Sequence, residues 1–163
     1  MDSLIFANEP YFTTDHVNKK LPLIQTWSKM YGLKYKGEMP QITFNHLQKK
    51  IAKEFWTGRA NGKPIMVIQT NGGLLNEQRP YLWARDMPIA LAQKLVDHYE
   101  KDYHIFQITK PAGEVLDGVE VIKDPMSNME LVSILLQSEK RIFIDSCMQH
   151  AAAALKMPSV VLW

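Results

Sequence analysis

The chain has 163 residues, 46% of them hydrophobic and 22% charged, which is the balance of an ordinary globular protein with a core. A formal charge of +2, without a cluster of lysine and arginine, excludes an obvious nucleic-acid-binding surface. One cysteine excludes an internal disulfide, and no apolar run approaches the roughly 20 residues of a membrane span. Because the start of the chain lacks the pattern of a signal peptide, we expect a cytoplasmic protein.

The first part of the chain, to about Gly62, mixes short elements. Apolar residues at helical spacing predict a helix over 21–31, and a short extended segment follows at 39–44. A second helix is predicted over 45–56, and the glycine-rich and polar stretch 58–64 is interpreted as a linker.

After this stretch, apolar strands alternate with amphipathic helices. Alternation of this kind predicts parallel strands joined by right-handed crossovers, and therefore an α/β fold with a Rossmann-like parallel sheet flanked by helices. Ser127, with Glu130 three residues later, predicts a capped helix start. The predicted strands are 65–70, 104–109, 119–122, 141–145 and 159–163, and the predicted helices are 88–99, 128–137 and 147–155.

Both ends of the chain look unfinished. A strand is predicted at 4–6 with little before it, and the apolar strand at 159–163 ends the chain without a covering element. We therefore expect a piece of a longer protein.

The most informative stretch is the turn between the strand at 141–145 and the helix after it. Asp145, Ser146 and His150 fall where strand becomes helix, at the sheet edge where open α/β folds bind ligands. The unpaired N–H groups of a helix's first turn favour an anion, so the pattern indicates a site for a phosphorylated ligand. The alternative is that Asp145 or Ser146 only caps the helix and His150 is a partly buried histidine with satisfied hydrogen bonds.

A second candidate is the loop after the first strand of the sheet. Thr70 and Asn71 offer side-chain donors, and Gly72 lets the backbone approach a ligand. Downstream, Arg79 and Arg85 could bind a diphosphate with their forked guanidinium groups. The loop matches neither a Walker motif nor a complete G-x-G-x-x-G, and an ordinary Asn-Gly turn with solvent-facing arginines remains the alternative.

Two other kinds of chemistry are disfavoured. Cys147 and His150 share one short helix without an evident orienting partner, so a Cys–His nucleophile is not expected. The histidines and carboxylates lack metal-ligand spacing, and we expect no metal site.

Residues 145–155, DSCMQHAAAAL, followed by PSVVL at 158–162, resemble the signature "D-S/T-G-x-x-H-x-x-A-A, then small-P-x-V" of the heptosyltransferase-like glycosyltransferases of family 9. Residues 65–73 are similar to the family's first strand and loop of the nucleotide-sugar domain, and 79–88 to the segment that enters its first helix. The likeness covers about residues 63–163.

The resemblance implies a GT-B fold, in which two Rossmann-like domains face each other across a cleft. Residues 63–163 would form the donor-binding domain, incomplete at its C-terminus, and 1–62 the end of the N-terminal domain with the connection. It implies a donor diphosphate site without metal or cofactor, the nucleotide sugar being a substrate. The residues lining that site would be Thr70, Asn71, Gly72, Arg79, Arg85, Asp145, Ser146, Cys147 and His150.

One position departs from the family pattern, since the usual glycine after Asp-Ser/Thr is Cys147 here. A side chain at this position would alter how closely the phosphate approaches the backbone or which sugar is accepted. The general base of the family belongs to the N-terminal domain, so no catalytic residue is assigned.

The implied activity is transfer of a sugar from a nucleoside-diphosphate sugar to a carbohydrate or glycolipid acceptor at the cell surface, as in lipopolysaccharide biosynthesis. It would place the full-length protein in the cytoplasm, at the inner face of the membrane as a peripheral protein. Two alternatives stay open: a nucleotide-sugar epimerase-like enzyme, and a non-catalytic nucleotide-binding module, because the scaffold hosts many functions.

Overall fold

A computed structural model describes residues 10–72, 86–109, 113–122 and 126–162. The chain divides into two compact units, residues 1–39 and 40–163. The strand predicted at 4–6 lies outside the described residues. Within the described part of the chain, no helix combines the length and apolarity that crossing a membrane requires.

The first unit contains a 3-10 turn, Pro10–Phe12, and helices α1 (Thr14–Val17) and α2 (Leu23–Met30). Thr13 caps α1, because its hydroxyl accepts a hydrogen bond from the His16 N–H. Helix α2 confirms the helix predicted over 21–31, and Gly32 follows it with a φ of +66°.

The second unit opens with helix α3 (His46–Arg59), which begins with a capping box between Asn45 and Gln48. The predicted linker at 58–64 was wrong at its start, because α3 continues through Gly58 and Arg59. Arg59 Nε donates a hydrogen bond to Glu120 Oε1 at 2.7 Å, and this bond holds the last turn of the helix in place.

Five parallel strands form the sheet of this unit, in the order β3-β2-β1-β4-β5. All pairs are parallel, as the alternation of strands and helices predicts, and the Rossmann-like α/β fold is confirmed. The strands are β1 (Ile65–Gln69), β2 (His104–Ile108), β3 (Glu120–Val121), β4 (Ser138–Ile144) and β5 (Val160–Leu162). The helices between them are α4 (Ile89–Tyr99), α5 (Asn128–Ser133) and α6 (Cys147–Ala154).

Alternating side chains of each central strand enter two separate cores, one on each face of the sheet. Val67 and Phe143 pack with Trp56 of α3 and Ala152 of α6 on one face. On the other face, strand residues such as Ile68 pack with α4. Helices therefore cover both faces, as a parallel sheet requires, and leave the strand ends as the place where polar groups meet.

Two further element boundaries differ by several residues from the sequence prediction. The helix predicted over 128–137 ends as an α-helix at Ser133, and 3-10 turn Ile134–Leu136 follows. The Ser133 hydroxyl donates to the Glu130 carbonyl at 2.6 Å and so competes with the helical hydrogen bonds. Strand β4 starts at Ser138, earlier than predicted, because polar residues 139–141 hide its pattern.

Candidate functional site

Four of the polar residues singled out in the sequence lie where β1 and β4 end, side by side in the centre of the sheet: Thr70, Asn71, Asp145 and Ser146. The strand order reverses between these two strands, since β1 leads on to β2 and β3 on one side and β4 to β5 on the other. In open parallel sheets, ligands bind at the carboxyl ends of the strands at this switch point. The fold thus brings the Thr70–Gly72 loop and the Asp145–Ser146 turn to one edge.

A buried glutamine links the two strand ends. Ser146 Oγ donates a hydrogen bond to Gln69 Oε1, and Gln69 Nε2 donates to the Asn71 carbonyl at 3.1 Å. A backbone carbonyl only accepts, so this second bond fixes which end of the Gln69 amide is the nitrogen. The Ser146 hydroxyl must therefore be the donor in its bond to Gln69.

This bond leaves the start of α6 uncapped. Ser146 is the N-cap residue, yet its side chain makes no capping hydrogen bond. Of the other helices in the described part of the chain, those preceded by Thr13, Asn45 and Ser127 are capped by these side chains. The alternative that Ser146 merely caps its helix is wrong. The first-turn N–H groups of α6 stay available to an anion, which the positive end of the helix dipole also favours.

Gly72 lets the β1 loop lie directly against the start of α6. A methyl group placed on its Cα would be 3.1 Å from Ile144 Cδ1 and 3.7 Å from Ser146 Cβ. Its N–H donates to Asp86 Oδ1 at 3.2 Å, a carboxylate that the sequence analysis did not single out. The close approach predicted for this glycine occurs against protein atoms, while its approach to a ligand stays a prediction.

Thr70 and Asn71 are buried, with exposed fractions of 3% and 6%. Asn71 Nδ2 donates to Thr109 Oγ1 at 2.8 Å, and Thr70 Oγ1 accepts from Gln107 Nε2 at 3.0 Å. Thr109 follows β2, so these bonds join a third strand end to the other two. Asn71 is thus tied into the sheet edge, and the two arginines of the alternative, Arg79 and Arg85, lie outside the described residues.

The remaining predicted site residues lie on or before α6. Asp145 Oδ1 accepts from Gln149 Nε2 at 2.9 Å. Cys147 and His150 are exposed, one helical turn apart, while Met148 and Ala151 face the core. A partly buried His150 is therefore excluded, and its contact with a ligand stays a prediction. Arg79 and Arg85 lie outside the described residues.

Groups of metal-binding side chains and cavities are the other features that could form a site. Within the described ranges, no three His, Cys, Asp or Glu side chains are grouped so that they could hold a metal ion. A cavity of about 600 Å³ opens between α3 and α5, and none of the predicted site residues that the structure describes lines it. Its apolar lining includes Phe44, Ile51, Phe55, Trp56, Met126 and Met129.

Sequence reasoning missed the two glutamines that organise this edge, Gln69 and Gln107. Both are buried, with exposed fractions of 6% and 0%. The signal was present, since each is an amide at or near the carboxyl end of an otherwise apolar strand. A buried amide needs hydrogen-bond partners, and the nearest ones are at the strand ends.

The architecture defined by these elements is that of a Rossmann-like domain with a polar site at its switch point. The structure is similar to that of an E. coli ADP-heptose LPS heptosyltransferase II, with a TM-score of 0.56 and 17% identity over 82% of this chain and 42% of that one. It is also similar to a family 9 glycosyltransferase from Veillonella parvula, with a TM-score of 0.58 and 13% identity over 86% of this chain and 42% of that one. No family model and no curated protein matches the sequence.

These similarities confirm the resemblance to family 9 glycosyltransferases at the level of the fold. The chain spans 42% of the length of each of the two structures. At such low identities the likeness concerns the fold alone, and the same scaffold supports different reactions.

Proposed function

We propose that the second unit binds the nucleotide-sugar donor of a glycosyltransferase and that the diphosphate lies against the start of α6. The observation that carries the proposal is the uncapped α6 start, held open by the bond between Ser146 and Gln69 at the switch point. The fold shared with two glycosyltransferases, one of them named for ADP-heptose, supports this choice among phosphorylated ligands.

The chemistry proposed is displacement of a nucleoside diphosphate by an acceptor hydroxyl. As the bond to the sugar breaks, negative charge grows on the departing diphosphate. N–H groups that already point toward it stabilise this charge without reorganisation. The exposed His150, one turn into α6, is proposed as a further donor to the phosphates. Arg79 and Arg85 remain proposed as basic ligands on the strength of the sequence.

We also propose that the reaction needs no metal ion, because the helix start and basic side chains would balance the charge of the diphosphate. The acceptor is proposed to be a carbohydrate or glycolipid of the cell surface, which a full-length protein would reach at the inner face of the membrane. A titration of donor binding with and without Mg²⁺ tests the first part. A requirement for the metal would overturn it.

Isothermal calorimetry with ADP-, GDP- and UDP-sugars tests donor binding on the chain itself. His150→Ala is expected to weaken binding by about 1–3 kcal/mol, the range for a lost bond to a charged group. This corresponds to roughly a fivefold to 150-fold rise in Kd. His46→Ala is the matched control, since His46 is also an exposed histidine in the first turns of a helix but lies on α3.

The outcomes separate the alternatives. Unchanged affinity in His150→Ala would remove His150 from the site, and absence of binding by all three donors would refute the proposed function. Binding followed by conversion of the sugar without an acceptor, visible by NMR, would favour the epimerase-like alternative. Binding without any turnover in the full-length protein would favour the non-catalytic module.

A further inference from the structure

Gln107 is a fully buried amide near the carboxyl end of β2, and its side chain hydrogen-bonds to the residue after β1 and to the loop after β2. Its Nε2 donates to Thr70 Oγ1 at 3.0 Å and to the Glu114 carbonyl at 2.9 Å, and its Oε1 accepts from the Leu116 N–H at 3.0 Å. Two of these partners are backbone groups with fixed roles as acceptor and donor. They fix the orientation of the amide, so its nitrogen must face Thr70.

This orientation decides the role of the Thr70 hydroxyl. Its oxygen accepts from Gln107, so its own hydrogen points elsewhere, and no acceptor among the described residues receives it. Thr70 is 3% exposed, and a buried hydroxyl hydrogen without an acceptor is unfavourable. The opposite holds for Ser146, whose hydrogen is already donated to Gln69. Of these two hydroxyls, only that of Thr70 has a hydrogen to offer a phosphate oxygen.

We propose that Gln107 is a positioning residue of the donor site. It fixes Thr70 as a hydrogen-bond donor to the diphosphate, and it ties this loop to residues 114–116 after β2. The inference rests on the proposed function, and it adds a residue that does not touch the ligand but orients Thr70, which does.

The chain offers a matched control in Gln93 of α4. Gln93 binds Asp117, the residue next to Leu116, through the same two kinds of hydrogen bond that Gln107 makes to residues 114–116. Its Nε2 donates to the Asp117 carbonyl at 3.2 Å, and its Oε1 accepts from the Asp117 N–H at 2.9 Å. Within the described residues it makes no bond to Thr70. Gln93→Met therefore loosens the same segment and leaves the Thr70 hydroxyl untouched.

The test is a double-mutant cycle on the affinity for ADP, GDP and UDP, measured by calorimetry, with the matching nucleosides as phosphate-free probes. Thr70→Val and Gln107→Met are each expected to raise the Kd of the diphosphate about tenfold. The Kd of the double variant should not exceed that of the single variant with the higher Kd, because both changes remove the same interaction. In the Gln93→Met background, Thr70→Val should keep its full tenfold effect, and nucleoside affinity should not respond to Thr70→Val.

An equal effect of Thr70→Val with and without Gln107→Met would overturn the inference and leave Gln107 a structural residue. If Gln107→Met fails to fold, Gln107→Asn replaces it, since its amide is one methylene shorter and cannot reach Thr70 while it keeps a polar group at this position. Thr70→Val should then have no further effect, and a retained tenfold effect would again overturn the inference. The wild-type chain is measured first, and if it binds no nucleoside diphosphate, the proposed function is refuted. If the wild-type chain binds but the effects of Thr70→Val and Gln107→Met on the free energy of binding simply add, only the role of Gln107 is refuted.

Discussion

Helices α5 and α6 both begin after a serine with an extended backbone, and yet the two serines do opposite things. Ser127 accepts a hydrogen bond from the Glu130 N–H at 3.2 Å, and the Glu130 carboxylate accepts from the Ser127 N–H at 2.7 Å. Ser146 leaves its own helix uncapped and donates to Gln69 on a neighbouring strand.

The difference shows that the residue type at a helix start does not decide whether the helix is capped. Ser127 is exposed and has a glutamate three residues later, so the local capping box forms. Ser146 lies beside a buried amide oxygen that needs a donor, and this tertiary partner prevails. The start of α5 is therefore capped by its own side chains, whereas the first-turn N–H groups of α6 remain available to a ligand.

Among the tests of this contrast, the largest expected effect comes from removing the partner of Ser146. Gln69→Met leaves the Asn71 carbonyl without its bond and should lower the free energy of unfolding by about 1–3 kcal/mol. It also frees the Ser146 hydroxyl to cap α6, an interaction worth about 1 kcal/mol that an anion must displace. We therefore expect roughly a fivefold rise in the Kd of the bound nucleoside diphosphate, measured by calorimetry.

The double variant Gln69→Met/Ser146→Ala separates this mechanism from general damage. Without the serine hydroxyl no cap can form, and affinity should return to near the wild-type value although stability does not. Gln48→Met, which breaks only the capping box of α3, should leave affinity unchanged. A double variant that binds as weakly as Gln69→Met would contradict the open-helix explanation.

A smaller effect is expected at the capped helix α5. Ser127→Ala removes the cap of α5 and should lower the free energy of unfolding, measured in urea, by about 1 kcal/mol, without any change in nucleotide affinity.

Ser146→Ala should also lower stability, because Gln69 loses its donor, but it should likewise keep affinity near the wild-type value. If Ser146→Ala instead abolishes binding, the serine contacts the phosphate directly and the contrast between the two helices fails.

The smallest expected effect is a pH dependence confined to α5. Hydrogen bonds from the Ser127 backbone and side chain lower the pKa of Glu130 from its ordinary value of 4.5. A carboxyl whose pKa is lowered by folding stabilises the folded state above its ordinary pKa, and this contribution is lost as the pH falls through the lowered value. The protection factors of the amides at the start of α5 should thus fall below about pH 4.5, and Glu130→Gln should remove this pH dependence. The same fall in Glu130→Gln would assign it to another group.

Much of the fold follows from periodicity in the sequence. The strands β1 and β2 are apolar on both faces and separated by a helix with a clear apolar side, which predicts parallel pairing. Boundaries failed where a local signal was misleading. Gly58 indicates a break, but the burial of Trp56 and Ala60 one turn apart keeps α3 intact through Arg59.

The site was predictable in its location but not in its hydrogen bonds. Asp145, Ser146 and the loop at 70–72 follow strands, and parallel strands bring such ends together. Nothing in the order of residues shows that Gln69 is bonded to Ser146, 77 positions away. Such partners are set by packing across the sheet, which a single sequence does not record.

The place of β1 in the middle of the sheet also has a consequence for synthesis of the chain. All five residues of β1 are buried in the finished protein, and one of its edges pairs with β4. The ribosome must add the 68 residues that lie between Gln69 and Ser138 before that partner begins to emerge. At about 5–20 residues per second, the apolar strand β1 has one unpaired edge for several seconds, and during this time that edge can associate with other nascent chains.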